Sequence, residues 1–281
     1  LSYDDAAGTL TITNTTSAGD IESVTAGDGL SGGGTSGAVT LAVDLNDSWT
    51  LTAAAMMQDV EANGVWDHDP SIGDLEVMRL MPDWSTDEWT QMSLKVEGEF
   101  LGGTLTATAA DLERDTEQYA DYSLYSDYYV SYGFVEPYYN CYVSYTGFCG
   151  DPREQYTNTT NIERSNYEIR FVSDPDAPVR YMLGYYGVEV DTASDSDWHV
   201  MGLNGQPTAV DAPDIYWTTD FVRSYEETAY FGEVSFDVTE ALTVAASARQ
   251  FDYEGGLNGF SGTVWWPCGG WGPQGDRPAS N

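Results

Sequence analysis

The residues of this 281-residue chain that could carry chemistry are three cysteines, two histidines and a dense tyrosine tract. Cys141 and Cys149 lie eight apart, inside a Tyr-rich stretch of loop character. That spacing suits a local disulfide in an oxidising compartment, and it suits two free thiols as well. Cys268 has no obvious mate. There is no CxxC, no HExxH and no Cys/His cluster, so neither a structural nor a catalytic zinc site is expected. His68, in Asp67-His68-Asp69-Pro70, and His199, in Asp197-Trp198-His199, could each serve as ligand or base; both contexts read more simply as solvated loops. Ser31-Gly32-Gly33-Gly34-Thr35 lacks the Gly-Lys-Ser/Thr ending of a phosphate loop and reads as a turn. Among 46 Asp+Glu some pair always looks catalytic, so such pairs carry no weight. The expectation is a protein that is not an enzyme and holds no cofactor.

Recognition chemistry is better represented. Residues 119–145 hold ten tyrosines, among them Tyr128, Tyr129, Tyr138 and Tyr139. Tyrosine joins flat apolar area to a hydroxyl, which suits contact with sugars or chelates; a loop packing on itself would use the same side chains. Trp217 is a further ligand-facing candidate. Asp67, Asp69 and Asp74 could offer oxygens to Ca²⁺, or simply be solvated charge.

Charge narrows the partners. Ten Lys+Arg against 46 Asp+Glu give a net charge of −36. A nucleic-acid partner is excluded, since phosphate neutralisation needs clustered Lys/Arg. Docking on an anionic membrane surface is disfavoured for the same reason. No run of about 18 apolar residues exists for a transmembrane helix. The first residues show no basic segment followed by an apolar one, so no signal peptide is read there.

The elements that would position these residues change character near residue 46. Residues 1–46 are a Gly/Ser/Thr-rich leader with short β-prone pieces, Thr9–Thr13 and Val39–Val43. Residues 47–281 carry longer alternating runs. In Thr90 to Phe100, Met92, Leu94, Val96 and Phe100 fall on one face, with Gln91, Ser93, Lys95, Glu97 and Glu99 on the other. Thr104 to Leu112 follows after a short turn. The unit recurs at 163–190 and at 227–253, around turns at 174–178 and 239–241. One more strand, Ser48 to Gln58, is expected to precede them unpaired. That makes about seven strands of ten to twelve residues.

The connections alternate in length. The turns at 101–103, 174–178 and 239–241 are short, whereas the links 60–89, 113–162 and 191–226 are long. Compact soluble domains rarely use several structureless loops of that size. Outer-membrane barrels do, and their tilted spanning strands need about 9–11 residues. Phe100, Phe171 and Phe236 each precede a short turn, where an interfacial aromatic girdle would sit. Hydrocarbon offers no partners to backbone N–H and C=O, so spanning strands must close into a barrel, apolar outside and free to be ionic inside. The fold class expected is all-β: antiparallel up-and-down strands of a transmembrane β-barrel, partial, with long extracellular loops.

Two stretches carry a family resemblance. One runs from Asp151-Pro152-Arg153-Glu154 through Asn166-Tyr167-Glu168-Ile169-Arg170-Phe171 to Pro178-Val179-Arg180-Tyr181. The other holds Ile215-Tyr216-Trp217, Ala229-Tyr230-Phe231-Gly232-Glu233-Val234 and Leu242 through Phe251. They resemble the barrel of TonB-dependent outer-membrane receptors, over roughly residues 48–265. The resemblance implies uptake of a scarce ligand (an iron chelate, a cobalamin or a glycan fragment), with the TonB complex and the lipid bilayer as partners. It implies location in the outer membrane of a Gram-negative bacterium. A 22-stranded transporter needs roughly 220 residues in strands alone, so seven strands are expected to be part of a barrel. Residues 1–45 resemble instead a phage tail-fibre repeat. That carries the alternative: a fibrous or adhesin-type structural protein, homotrimeric, on a virion or extracellular fibre, binding a host surface.

Overall fold

Period-two alternation of β-branched and aromatic residues against charged ones favours extended chain, and such chain is stable only where neighbours complete its ladders. The computed structural model describes residues 2–4, 9–11, 23–26, 30–35, 37–64, 71–123, 153–200 and 214–263. The elements among the described residues are strands. β1 (Ser2–Asp4) and β2 (Thr9–Thr11) pair with each other. The other ten form one antiparallel sheet in strict sequence order. They are β3 (Val24–Thr25), β4 (Ser31–Gly34), β5 (Ala38–Asn46), β6 (Trp49–Asn63), β7 (Trp84–Phe100), β8 (Gly103–Asp121), β9 (Glu154–Ser173), β10 (Val179–Val200), β11 (Ile215–Thr239) and β12 (Leu242–Thr263). The fold class is therefore all-β and up-and-down, as the alternation predicts. β3 and β12 are the open edges of the sheet among the described residues.

Seven strands are long, and they coincide with the seven expected from sequence. Three expectations need correction: Ser31 to Gly34, read as a turn, forms β4 between β3 and β5, and the other two concern the long strands. The Ser48-to-Gln58 strand is not unpaired: β6 lies between β5 and β7, with Leu51 opposite Val43 and Val96. The strands also run 15 to 25 residues rather than ten to twelve. Consequently the links shorten to residues 64–83, 122–153 and 201–214.

Opposed residues of an antiparallel pair share a side, so the register sorts the sheet into two faces. One face, beginning at the short turns, is apolar. A row through Leu51, Val96, Ala107, Ile169, Tyr185 and Tyr230 is typical. Many of its large side chains stand open: Met92 is 61%, Leu94 47%, Leu183 59% and Val234 44% exposed. From Met92 to Phe100 the apolar run covers roughly 26 Å along the strand, at about 3.3 Å per residue. Aromatics border it at both ends. Phe171 and Tyr181 sit near the turns with ring centroids 5.8 Å apart. Tyr167, Tyr185 and Tyr230 form the far border, at 5.8 and 4.8 Å. Beyond them, on β8 to β12, the same face turns acidic in a row of Asp111, Ser165, Glu189, Glu226 and Glu254, level with Met92 on β7.

The opposite face holds every Lys and Arg of the seven long strands: Lys95, Arg114, Arg164, Arg170, Arg180, Arg223 and Arg249. Most are paired there, as Arg180 is with Asp237 through two bonds of 2.7 Å and Arg114 with Asp87 at 2.7 and 2.8 Å. On β8 to β10 this face is also the more sheltered one, with Thr106 and Val188 buried.

Candidate functional site

Towards the long-link end, the cation-bearing face changes again. Above Arg114 and Arg223 its rows on β8 to β12 are neutral up to Glu154, which is buried at the start of β9. One row runs Thr116, Thr160, Ser194, Phe221 and Gly259; the next runs Gln118, Asn158, Ser196, Thr219 and Ser261. The top row is Ala120, Tyr156, Trp198 and Trp217. At the same height the other face bears Glu117, Asp195, Asp197 and Asp220. The two sides of one segment thus differ sharply: carboxylates on one, hydroxyls, amides and rings on the other.

The neutral groups are organised by hydrogen bonds across strands. Asn158 Nδ2 donates to Thr160 Oγ1 at 3.1 Å, and Ser194 Oγ donates to Asn158 Oδ1 at 3.2 Å. Trp217 Nε1 donates to Ser261 Oγ at 3.2 Å and to Thr219 Oγ1 at 3.3 Å. The Ser261 and Thr219 hydroxyls are themselves 2.8 Å apart. Trp217 keeps 38% of its surface exposed. Tyr156 and Trp198 lie 4.9 Å apart, and Tyr122 packs edge-on against Trp198 at 4.5 Å. Burial, with Tyr156 adjacent, raises the Tyr122 hydroxyl above its ordinary pKa, so it stays a donor.

A polar knot fixes the rim of this surface. Asp121 Oδ2 accepts the backbone N–H groups of Leu80 and Met81, the latter at 3.1 Å. Its own N–H donates to Asp83 Oδ1 at 3.1 Å, and Arg79 pairs with Asp83. Burial alone would raise the Asp121 carboxyl; the bonds from Ser123, Leu80 and Met81 outweigh it and hold the group below its ordinary value. Ser123 Oγ also accepts the Glu154 N–H at 3.0 Å, which ties the start of β9 to the same knot.

Of the sequence candidates, Trp217 lies in this neutral surface. Asp74 lies in the link before β7, away from any carboxylate cluster; among the described residues no group of three His, Cys, Asp or Glu could hold a metal ion. Asp67, Asp69, Tyr128, Tyr129, Tyr138, Tyr139, Cys141, Cys149, Cys268 and His68 lie outside the described residues. His199, read as a loop residue, sits at the end of β10 with its Nε2 3.2 Å from Thr157 Oγ1. Sequence reasoning missed Tyr156, Trp198 and the Ser/Thr/Asn rows, because it placed them in links. The signal was present as alternation of a different kind, Tyr156-Asn158-Thr160 and Trp198-Ser196-Ser194 at a spacing of two.

This fold and surface define a class: an up-and-down antiparallel sheet of the type that builds β-barrels, with an unpacked apolar face and a polar one. No family model matches the chain, and no curated protein does. Among solved structures, the crystal structure of the ferric yersiniabactin uptake receptor FyuA from Yersinia pestis is similar in fold, with a TM-score of 0.54 at 10% identity. The match covers 83% of this chain and 34% of that one, so the chain spans about a third of the receptor's length.

Proposed function

We propose that this chain is part of an outer-membrane receptor barrel that takes up a scarce ligand with energy from the TonB complex. The observation that carries the reading is the exposed apolar face. It is bordered by aromatics at both ends and turns acidic immediately beyond one border. A soluble sheet would cover such a face, because apolar area left in water forgoes about 25 cal/mol per Å². Acyl chains cover it without demanding polar partners, and the Met92–Phe100 run, tilted by about 40°, accounts for about 20 Å of the roughly 25 Å apolar belt of outer-membrane barrels. The ionic face then lines the lumen, where Arg180 with Asp237 and Arg249 with Glu227 stay wet. The fold of the yersiniabactin receptor agrees with that arrangement.

Single cysteines test it directly. In the cell envelope of a Gram-negative host, Leu183→Cys and Val234→Cys should react with a membrane-restricted maleimide, and Thr108→Cys should not. The folded product should fractionate with outer membranes and migrate faster unheated than boiled. Recovery as a soluble monomer, with position 183 open to water-soluble reagents, would overturn the reading.

A further inference from the structure

The apolar face is not level. Between β5 and β9 it sinks into an open trough of about 670 Å³, a volume within the range of small-ligand sites. Ala53, Ala55 and Ala109 leave this space because they carry only methyl groups; Val39 and Leu41 form one wall and Tyr167 the other. Among the described residues that line it, the one charged group is Asp111. Asp111 lies opposite Met92 and Ser165, at the end of the trough nearer the long links, and accepts a bond of 2.7 Å from Ser165 Oγ. We propose that the trough seats a membrane lipid with a primary ammonium head, its acyl chain over the alanines and its ammonium on Asp111. This rests on the receptor reading above, in which acyl chains meet this face, and names the lipid that the face retains. Three observations converge. The row from Leu41 through Ala53, Leu94 and Ala109 to Tyr167 extends about 19 Å across four strand spacings, enough for a chain that spans one leaflet of about 15 Å. The Asp111 carboxylate has more acceptor sites than Ser165 fills, and a primary ammonium brings three N–H donors. The rest of the face fixes the sign of the head. Every Lys and Arg of the long strands stands on the opposite side, and the Asp111 row continues through Glu189, Glu226 and Glu254. An anionic head would meet only like charge there, and a quaternary ammonium has no N–H to donate.

Native mass spectrometry tests this on the folded full chain. The chain is released from a neutral detergent after equilibration with equal amounts of phosphatidylethanolamine, phosphatidylglycerol and phosphatidylcholine of identical acyl chains. Phosphatidylethanolamine should be retained over the other two by about fivefold, the size of one favourable exposed charge pair, and high salt should shrink that margin. Asp111→Asn should remove the preference. Ala109→Phe fills the trough and should lower retention of phosphatidylethanolamine to that of the other two. Tyr230→Ala, on the same face but outside the trough, should leave the preference as it is. A wild-type thermal midpoint reports that each variant is folded. Equal retention of the three lipids by the wild type, or an unchanged preference in folded Asp111→Asn or folded Ala109→Phe, overturns the proposal. The cysteine labelling is independent. If position 183 is labelled and the lipids are retained equally, the trough proposal falls and the receptor reading stands. If the chain is recovered as a soluble monomer that still prefers phosphatidylethanolamine, the receptor reading falls and the trough remains a site for ammonium-headed lipid.

Discussion

The indole of Trp49 lies across Gly98, directly opposite it on the neighbouring strand, so close that a β-carbon on Gly98 would stand 2.3 Å from the ring. Glycine is required there for space. The same device recurs where Tyr167 covers Gly187 and Phe231 covers Gly184, as aromatic cross-strand pairs compensate for glycine in a sheet. Gly98→Ala must therefore expel the indole from the apolar face. The expected cost is about 1–3 kcal/mol, typical of forced overpacking, read as a lower denaturant midpoint. Gly98→Ala combined with Trp49→Ala should recover part of it; equal midpoints for wild type and Gly98→Ala would show that the ring moves freely.

The turn joining β7 to β8 is strained by one residue. Leu101 and Gly102 both have positive φ, 50° and 80°, the pattern of a two-residue hairpin turn that prefers Asn-Gly. Leucine in that region costs roughly 1–2 kcal/mol, and Asn tolerates it better. Leu101 is 85% exposed, so its replacement loses no packing. Leu101→Asn should raise the denaturant midpoint, by about 0.5–1 kcal/mol of stability, without altering the fold. A lower midpoint would mean that the leucine itself contacts something at that end.

The Asp121 knot makes the rim of the neutral surface acid-sensitive. A carboxyl held below its ordinary pKa contributes stability that is fully present above the ordinary range, near 3.9, and is lost as pH falls through the depressed value. The bonds at stake hold Leu80 and Met81. At neutral pH, Asp121→Ala should accelerate amide exchange at those two residues several-fold, up to about tenfold for loss of a charged acceptor. In the wild type, pepsin cleavage near Leu80 should begin only on acidification below the ordinary carboxylate range. Unchanged exchange in the variant would place the anchoring of the link elsewhere.

How far the sequence revealed this arrangement depends on height in the sheet. Near the short turns one face is apolar and the other ionic, so alternation in Met92-Leu94-Val96 against Ser93-Lys95-Glu97 is unmistakable, and the strands and turns there are predictable. Past Asp111 both faces are polar. Asp111, Glu113 and Asp115 alternate with Leu112, Arg114 and Thr116, hydropathy loses its period, and the strand was expected to end at Leu112 although it continues to Asp121. Backbone pairing with β7 and β9 carries it on, and pairing leaves no mark in composition. The neutral surface was missed for that reason: its residues lie where strands look like loops. Trp217 was singled out by type alone, whereas Ser194 and Asn158 acquire meaning only from the register that sets them side by side.

The two faces make opposite demands on a new charge, and neighbouring positions on β7 can measure this. Leu94 points to the unpacked apolar face between Ala53 and Ala109; Ser93, one residue earlier, points to the ionic face between Ala54 and Ala110. Both sites have small neighbours, so size is matched. If acyl chains cover the apolar face, Leu94→Arg carries a guanidinium into hydrocarbon and should cost about 2–4 kcal/mol. Ser93→Arg enters a wet lumen, on the face that carries Lys95 and Glu97, and should cost little. In refolding with lipid vesicles, Leu94→Arg should shift the unfolding midpoint down strongly and Ser93→Arg only slightly. In water the ranking would differ: Leu94 is already 47% exposed, so an arginine there would be tolerated as easily as at 93. Equal tolerance at both positions in lipid would therefore remove the bilayer from the account of this fold.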